Sequence, residues 1–211
     1  LTGRNVSGSI ILAVDSAQTG ASVDNIQLVR CKLITAHQDA FAIFHAVPFT
    51  GSGSARNWLV DDCVFTGSSK VPVRWGGSSS ATVTGHDARR NFVMRGCRIE
   101  VNPSAWTSAG TAIGALFYAL GDCTIRGNTV RFINDIPAAA TTIAIQMMDV
   151  RNSTGIIEGN QIVFECPLAS ATATIYGLYI NTSALESAFD AGTAGAPTSG
   201  RLLVSGNRVG T

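Results

Sequence analysis

Fourteen acidic side chains are spread along the chain, and two of them brought together could do general acid–base work, of which cleavage of a glycosidic bond is one kind. That work needs two carboxylates about 5 Å apart when the anomeric configuration is retained, or about 6.5–9.5 Å apart when it is inverted. Asp149 ends an apolar run in MMDVRN, with Arg151 nearby as a neutralising partner, and its best companions are Glu158 and Asp122. These three are the candidate catalytic carboxylates. Asp61 and Asp62 are sequence neighbours, whose side chains leave a strand on opposite faces. Glu165 and Glu186 have no visible partner.

Sugar contact draws on other side chains. Trp75 and Trp106 both lie beside small residues and are candidate carbohydrate platforms, with subunit packing as the alternative. His45 in AIFHAV and Arg74 in VPVRWG fall at comparable places in successive apolar runs. Stacked one rung apart they would contact an anionic sugar, or else form a hydrogen-bonded surface pair. His86-Asp87, in TVTGHDARR, reads as a turn. The chain has no D-x-D-x-D-G loop, no C-x-x-C spacing and no His pair at zinc-ligand distance. No metal or cofactor is expected.

The elements that must position these residues emerge from a repeat. Six segments align without gaps: NIQLVRCKL (25–33), NWLVDDCVF (57–65), NFVMRGCRI (91–99), DCTIRGNTV (122–130), TGIIEGNQI (154–162) and RLLVSGNRV (201–209). Their fourth position is always apolar (Leu28, Val60, Met94, Ile125, Ile157, Val204), and so is their ninth (Leu33, Phe65, Ile99, Val130, Ile162, Val209). The fifth is mostly polar, the sixth is glycine in four of the six, and the seventh runs Cys31, Cys63, Cys97, Asn128, Asn160, Asn207. Apolar-in, polar-out alternation on both sides of a Gly-Asn or Gly-Cys corner predicts strand, bend, strand. A further strand-like run precedes each segment: SIILAV (9–14), AIFHAVPF (42–49), VPVRWGG (71–77), AIGALFYAL (112–120), TIAIQMMDV (142–150) and TIYGLYI (174–180). Trp58 shares a column with Ile26 and Phe92, which places it in the core.

One strand set per repeat, stacked on its counterpart in the next, is an all-β parallel solenoid of about six coils. Its corner column becomes a ladder in which stacked asparagines bond rung to rung and cysteines act as small apolar fillers with free thiols. In the fifth-position column Asp61, Arg95, Arg126 and Glu158 form a surface ion ladder. Its two acids are about 14 Å apart, too far for paired-acid chemistry. Glu100 and Arg131 share a further column and pair. The stretch 182–200, inside the one long step, is an insertion containing the only hint of an amphipathic helix, TSALESAFDAG (182–192).

Composition fits one domain, 1–211. Apolar residues make up 45% and charged residues 14%, which excludes a disordered chain. No apolar run approaches the roughly 18–20 residues of a membrane-spanning helix. The net charge of +1 leaves no nucleic-acid footprint. Neither nucleic acid nor membrane is an expected partner. Five cysteines cannot all pair within the chain. Leu1 at the start, and GNRVGT stopping in mid-pattern at the end, suggest an internal piece of a longer chain.

The I-x-G-N-x-I form (Ile125, Gly127, Asn128, Val130; Ile157, Gly159, Asn160, Ile162), with Gly177-Leu178-Tyr179-Ile180 in the preceding run, resembles the repeat of right-handed parallel β-helix proteins, the pectate-lyase-like superfamily. The resemblance covers about residues 8–210. It implies a right-handed, single-stranded parallel β-helix. Long coils with small-residue loops, and cysteines suited to assembly in a reducing cytosol, lean toward a bacteriophage tailspike or tail-fibre domain. That resemblance implies a homotrimer on the virion tail that binds host cell-surface polysaccharide, with depolymerase activity as an addition. The competing readings are a secreted or cell-surface polysaccharide lyase or glycoside hydrolase of the same fold, and a structural shaft with no ligand.

Overall fold

A computed structural model describes residues 10–13, 22–39, 41–45, 56–75, 91–106, 111–118, 122–133, 141–148, 154–165, 174–181 and 201–210. Eighteen strands follow one another in groups of three. The first coil holds β1 (Ile10–Ala13), β2 (Gln27–Val29) and β3 (Lys32–Thr35). The second holds β4 (Phe41–His45), β5 (Trp58–Asp61) and β6 (Val64–Gly67), and the third β7 (Val73–Trp75), β8 (Phe92–Arg95) and β9 (Arg98–Val101). The fourth comprises β10 (Thr111–Tyr118), β11 (Asp122–Arg126) and β12 (Thr129–Ile133). The fifth comprises β13 (Thr141–Met148), β14 (Thr154–Glu158) and β15 (Gln161–Glu165), and the sixth β16 (Thr174–Asn181), β17 (Arg201–Ser205) and β18 (Arg208–Gly210). Among the described residues, the only helical turn is a short 3-10 turn at Pro103–Ala105.

Each strand pairs in parallel with its counterpart one coil away, giving three six-stranded sheets. The first sheet contains β1, β4, β7, β10, β13 and β16; the second the strand before each corner; the third the strand after it. The fold is therefore a parallel β-helix of six coils. Its register reproduces the sequence columns: Leu28, Val60, Met94, Ile125, Ile157 and Val204 are successive partners in the second sheet. Leu33, Phe65, Ile99, Val130, Ile162 and Val209 are successive partners in the third. A slip of one residue would turn each apolar set outward, so burial of these columns fixes the register.

The corner explains how two strands feed one core. In the second coil Trp58 and Val60 point inward, and after the bend Cys63 and Phe65 do so again. The bend residue adopts a left-handed conformation in every coil: Arg30 (φ 53°), Asp62 (51°), Gly96 (61°), Gly127 (61°), Gly159 (62°) and Gly206 (61°). Glycine enters this region freely, whereas a side chain costs about 1–2 kcal/mol. The sixth-position glycines therefore mark a backbone requirement.

The seventh-position side chain then closes the corner. Asn128 Nδ2 donates to Met94 O at 3.0 Å and to Asn160 Oδ1 at 3.0 Å. Asn160 Nδ2 donates to Ile125 O at 3.0 Å and to Asn207 Oδ1 at 2.8 Å. The amide oxygens also accept from the backbone of the preceding rung, Asn128 Oδ1 from Cys97 N at 2.9 Å and Asn160 Oδ1 from Asn128 N at 3.0 Å. In the cysteine coils the thiols of Cys63 and Cys97 reach the equivalent carbonyls, Leu28 O at 3.3 Å and Val60 O at 3.4 Å. Cys31, Cys63, Cys97 and Cys123 are all free thiols.

Aromatic side chains fill the middle coils. Trp58, Trp75, Phe92 and Phe117 form a chain of ring contacts with centroids 4.4, 5.0 and 5.4 Å apart. Small residues on the first sheet make room elsewhere. A side chain at Gly114 would come within 2.7 Å of Ala144 O and 2.8 Å of a Val130 methyl.

Candidate functional site

With the core inside, chemistry belongs to the outward faces, and two of these are well defined. On the third sheet the outward positions form two columns, mostly polar from the third coil on. One runs Arg98, Thr129, Gln161 and Arg208, the other Glu100, Arg131 and Val163. A groove of about 420 Å³ is lined there by Arg98, Thr129, Arg131, Gln161, Val163 and Glu165. Its side chains are cross-linked. Arg98 pairs with Glu100, and Arg131 bridges Glu100 at 3.6 Å and Glu165 at 2.5 Å. The Glu165 bond comes first in holding the Arg131 guanidinium above its ordinary range, with Glu100 adding to it. Exposed pairs of this kind add little net stability. Their larger effect is to hold long side chains in a fixed pattern along the axis.

The second sheet presents a different face. Its outward column is Leu59, Val93, Thr124, Ile156 and Leu203, with Ile156 and Leu203 exposed. Beside it runs the expected ion ladder, in which Arg95 meets Asp61 at 2.8 Å and Arg126 meets Glu158 at 3.5 Å. The Arg95 hydrogen bond is the main cause that holds the Asp61 carboxyl below the usual carboxylate range. At the start of the same sheet a groove of about 350 Å³ is lined by Asn91, Phe92, Val93, Asp122, Cys123, Thr124, Gly155 and Ile156.

The candidate carboxylates occupy separate places. Asp122 opens β11 and lines the second-sheet groove. Glu158 ends β14 and is paired with Arg126. Asp122 is the register partner of Thr154, four residues from Glu158, which separates the two acids by about 13 Å along the strand direction. Asp149 lies outside the described residues, as do His86, Asp87, Glu186 and the insertion 182–200. Glu165, without a partner in the sequence reading, bonds Arg131 one coil away. The Glu100–Arg131 pair forms as expected.

The aromatic and cationic candidates are redistributed. Trp75 has no exposed surface and sits between Trp58 and Phe92, so it offers no face to a sugar. It is a core residue. Trp106 is 7% exposed, donates Nε1–H to Ser68 O at 2.7 Å, and has Lys70 Nζ 5.9 Å from its ring centroid. Lys70 and the Ser68 backbone thus occupy the surroundings a sugar would need. His45 is the register partner of Trp75, while Arg74 is the partner of Phe44 and Leu116. The expected stacking of His45 on Arg74 is therefore replaced by a one-residue offset, and successive strand positions alternate faces. Arg74 is half-buried.

The buried thiols of Cys97 and Cys123 are held in their protonated form. Burial is the leading cause that pushes Cys97 and Cys123 up to about 12, far from the thiolate range that reactivity needs. Among the described residues no group of three or more His, Cys, Asp or Glu side chains is placed to hold a metal ion. No described helix is long and apolar enough to cross a membrane.

Sequence reasoning missed the third-sheet groove because Glu165 falls beyond the nine aligned positions. The available signal was Arg98, Glu100, Arg131 and Glu165 alternating with the buried residues Ile99, Val130 and Phe132. Comparison with family models, with curated proteins and with solved structures finds no match for this chain.

Proposed function

We propose that this β-helix binds a host cell-surface polysaccharide through the outward face of its third sheet, as the glycan-contacting part of a tailspike-like virion protein. The observation that carries the reading is the groove on coils three to five, where Arg98, Thr129, Arg131, Gln161 and Glu165 surround Val163. Parallel rungs repeat about every 4.8 Å, so donors and acceptors recur along the axis as hydroxyls recur along a polymer. Ion pairs with Glu100 and Glu165 pre-order Arg131, which lowers the entropy lost on binding. Side-by-side trimerisation is part of this reading, through faces that leave the third sheet free for glycan. Glycan cleavage would be an added activity, with Asp149 as its candidate acid.

The test is binding of purified bacterial surface polysaccharides to the protein, with solution mass and release of reducing or unsaturated ends measured on the same samples. Arg131→Ala combined with Gln161→Ala is expected to weaken binding by about tenfold or more, equivalent to about 1.4 kcal/mol. Unchanged binding in that variant would move the site off this face. Released ends would add a depolymerase activity.

A second reading is a rigid shaft without a ligand. The Asn128–Asn160–Asn207 ladder, buried at its first two rungs, favours it because it couples coil to coil. Absence of binding to every polysaccharide tried would leave that reading standing.

A further inference from the structure

The second-sheet groove contains the end of a hydrogen-bond ladder, where two side-chain acceptors meet on successive rungs. At the entrance to this sheet, Asn25, Asn57 and Asn91 stack in successive coils, each with φ near +60° (62°, 57° and 58°). Asn57 Nδ2 donates to Asn25 Oδ1 at 2.9 Å, and Asn91 Nδ2 donates to Asn57 Oδ1 at 2.8 Å. A fourth asparagine would donate to Asn91 Oδ1 in turn. Pairing of Phe92 with Cys123 instead sets Asp122 on the next rung. An ionised aspartate has acceptors only. The ladder therefore ends with an amide oxygen facing a carboxylate, and among the described residues no donor reaches either one.

The surroundings narrow what could fill that gap. Asn91 and Asp122 line the groove together with Thr124, whose hydroxyl both donates and accepts, and with the aliphatic side chains of Val93 and Ile156. Ile156 is 36% exposed. Two acceptors next to an aliphatic wall match a molecule with adjacent hydroxyl donors and a C–H face. An ammonium ion would meet the acceptors but leave the wall unused.

We infer that this groove binds one pyranose ring, with two neighbouring hydroxyls donating to Asn91 Oδ1 and the Asp122 carboxylate and its C–H face against Val93 and Ile156. The site rests on the carbohydrate-binding reading but lies on a different sheet from the polysaccharide face. It is a subsite for a single sugar, such as a branch or a chain end. Asp122 serves as an acceptor here, with no part in bond cleavage.

The substitution Asp122→Asn tests this directly, because an amide at that position extends the asparagine ladder as it removes the acceptor. The probes are the methyl glycosides of glucose, galactose, mannose and rhamnose, titrated against isotopically labelled protein. At least one is expected to shift the amides of Asp122, Thr124 and Ile156 saturably. In Asp122→Asn the melting temperature should rise while affinity falls by about tenfold or more. Ile156→Arg, which changes an exposed side chain, should block the groove without touching the ladder. The inference is overturned if no glycoside shifts these amides, or if Asp122→Asn binds as well as the parent. Should polysaccharide binding through Arg131 survive a silent groove, the groove inference alone falls. Should the groove bind while no polysaccharide does, the adhesion reading falls instead.

Discussion

The first three coils and the last three meet the same geometric demand with different chemistry. Every corner needs a left-handed residue followed by a small inward side chain. Coils four to six answer with Gly-Asn, at Gly127-Asn128, Gly159-Asn160 and Gly206-Asn207. Coils one and two use Arg30-Cys31 and Asp62-Cys63, and coil three is a hybrid, Gly96-Cys97. The thiols of Cys63 and Cys97 reach the same carbonyl that the asparagine amide reaches, but at 3.3–3.4 Å and with a weak donor. The asparagine adds a bond to the next rung and an oxygen that takes the preceding backbone N–H. The lesson is that a solenoid corner needs a small, buried, carbonyl-seeking group, and asparagine adds coupling between coils. The coupled half also carries most of the third-sheet groove, in β12 and β15, so rigidity lies beneath the proposed binding face.

The hardest blow to this contrast is Asn160→Ala. It strips bonds to Ile125 O, Asn207 Oδ1, Asn128 N and Asn128 Nδ2, leaving buried groups unmatched at a cost of about 3–5 kcal/mol. A melting temperature lower by about 10 °C is expected for a chain of this size, read by calorimetry. The alkaline limb comes next. Cys97 and Cys123 are raised from 9.0 to about 12 in the folded state, mainly by burial. A raised folded value gives stability that is complete below the unfolded value and is lost as pH climbs toward 12. Melting temperature should therefore fall progressively above pH 9, and Cys97→Ala should flatten part of that slope. A smaller effect is expected for Gly127→Ala, whose added methyl meets nothing within 4 Å. Only the left-handed backbone opposes it, so a loss of about 1 kcal/mol in denaturant titration is the outcome. The finest test is Cys97→Asn, which extends the amide ladder by one rung from Asn128. Stability equal to the parent or slightly higher would show that the two chemistries are interchangeable at this corner, and a large loss would show that the cysteine half is packed for sulfur.

The inward columns were legible in the sequence because each inward residue meets the same kind of neighbour on every rung. The fourth and ninth positions, the corner ladder, and the Asp61–Arg95 and Arg126–Glu158 pairs all follow from that periodicity. The outward faces were less legible. Trp75 looked like a platform because glycines follow it, yet its alternation with Arg74, and Val73 two residues before it, places it inside. The first sheet lacks a corner motif to fix its register, so His45 was matched to Arg74 when its partner is Trp75. Glu165 joins Arg131 across a diagonal that single-column alignment does not display. The Asp122 groove depends on a missing donor, visible only once Asn25, Asn57 and Asn91 are joined by their bonds.

The most direct measurement is native-state hydrogen exchange, resolved at the six corners. In the asparagine half, the amides of Asn128 and Asn160 and that of Cys97, which bonds to Asn128 Oδ1, should exchange only through global unfolding. The Cys31 and Cys63 amides, which face sulfur, should exchange through smaller openings and at least about tenfold faster. Equal protection across all six corners, or slower exchange in the cysteine half, would contradict the assignment of the rigid scaffold to the asparagine coils.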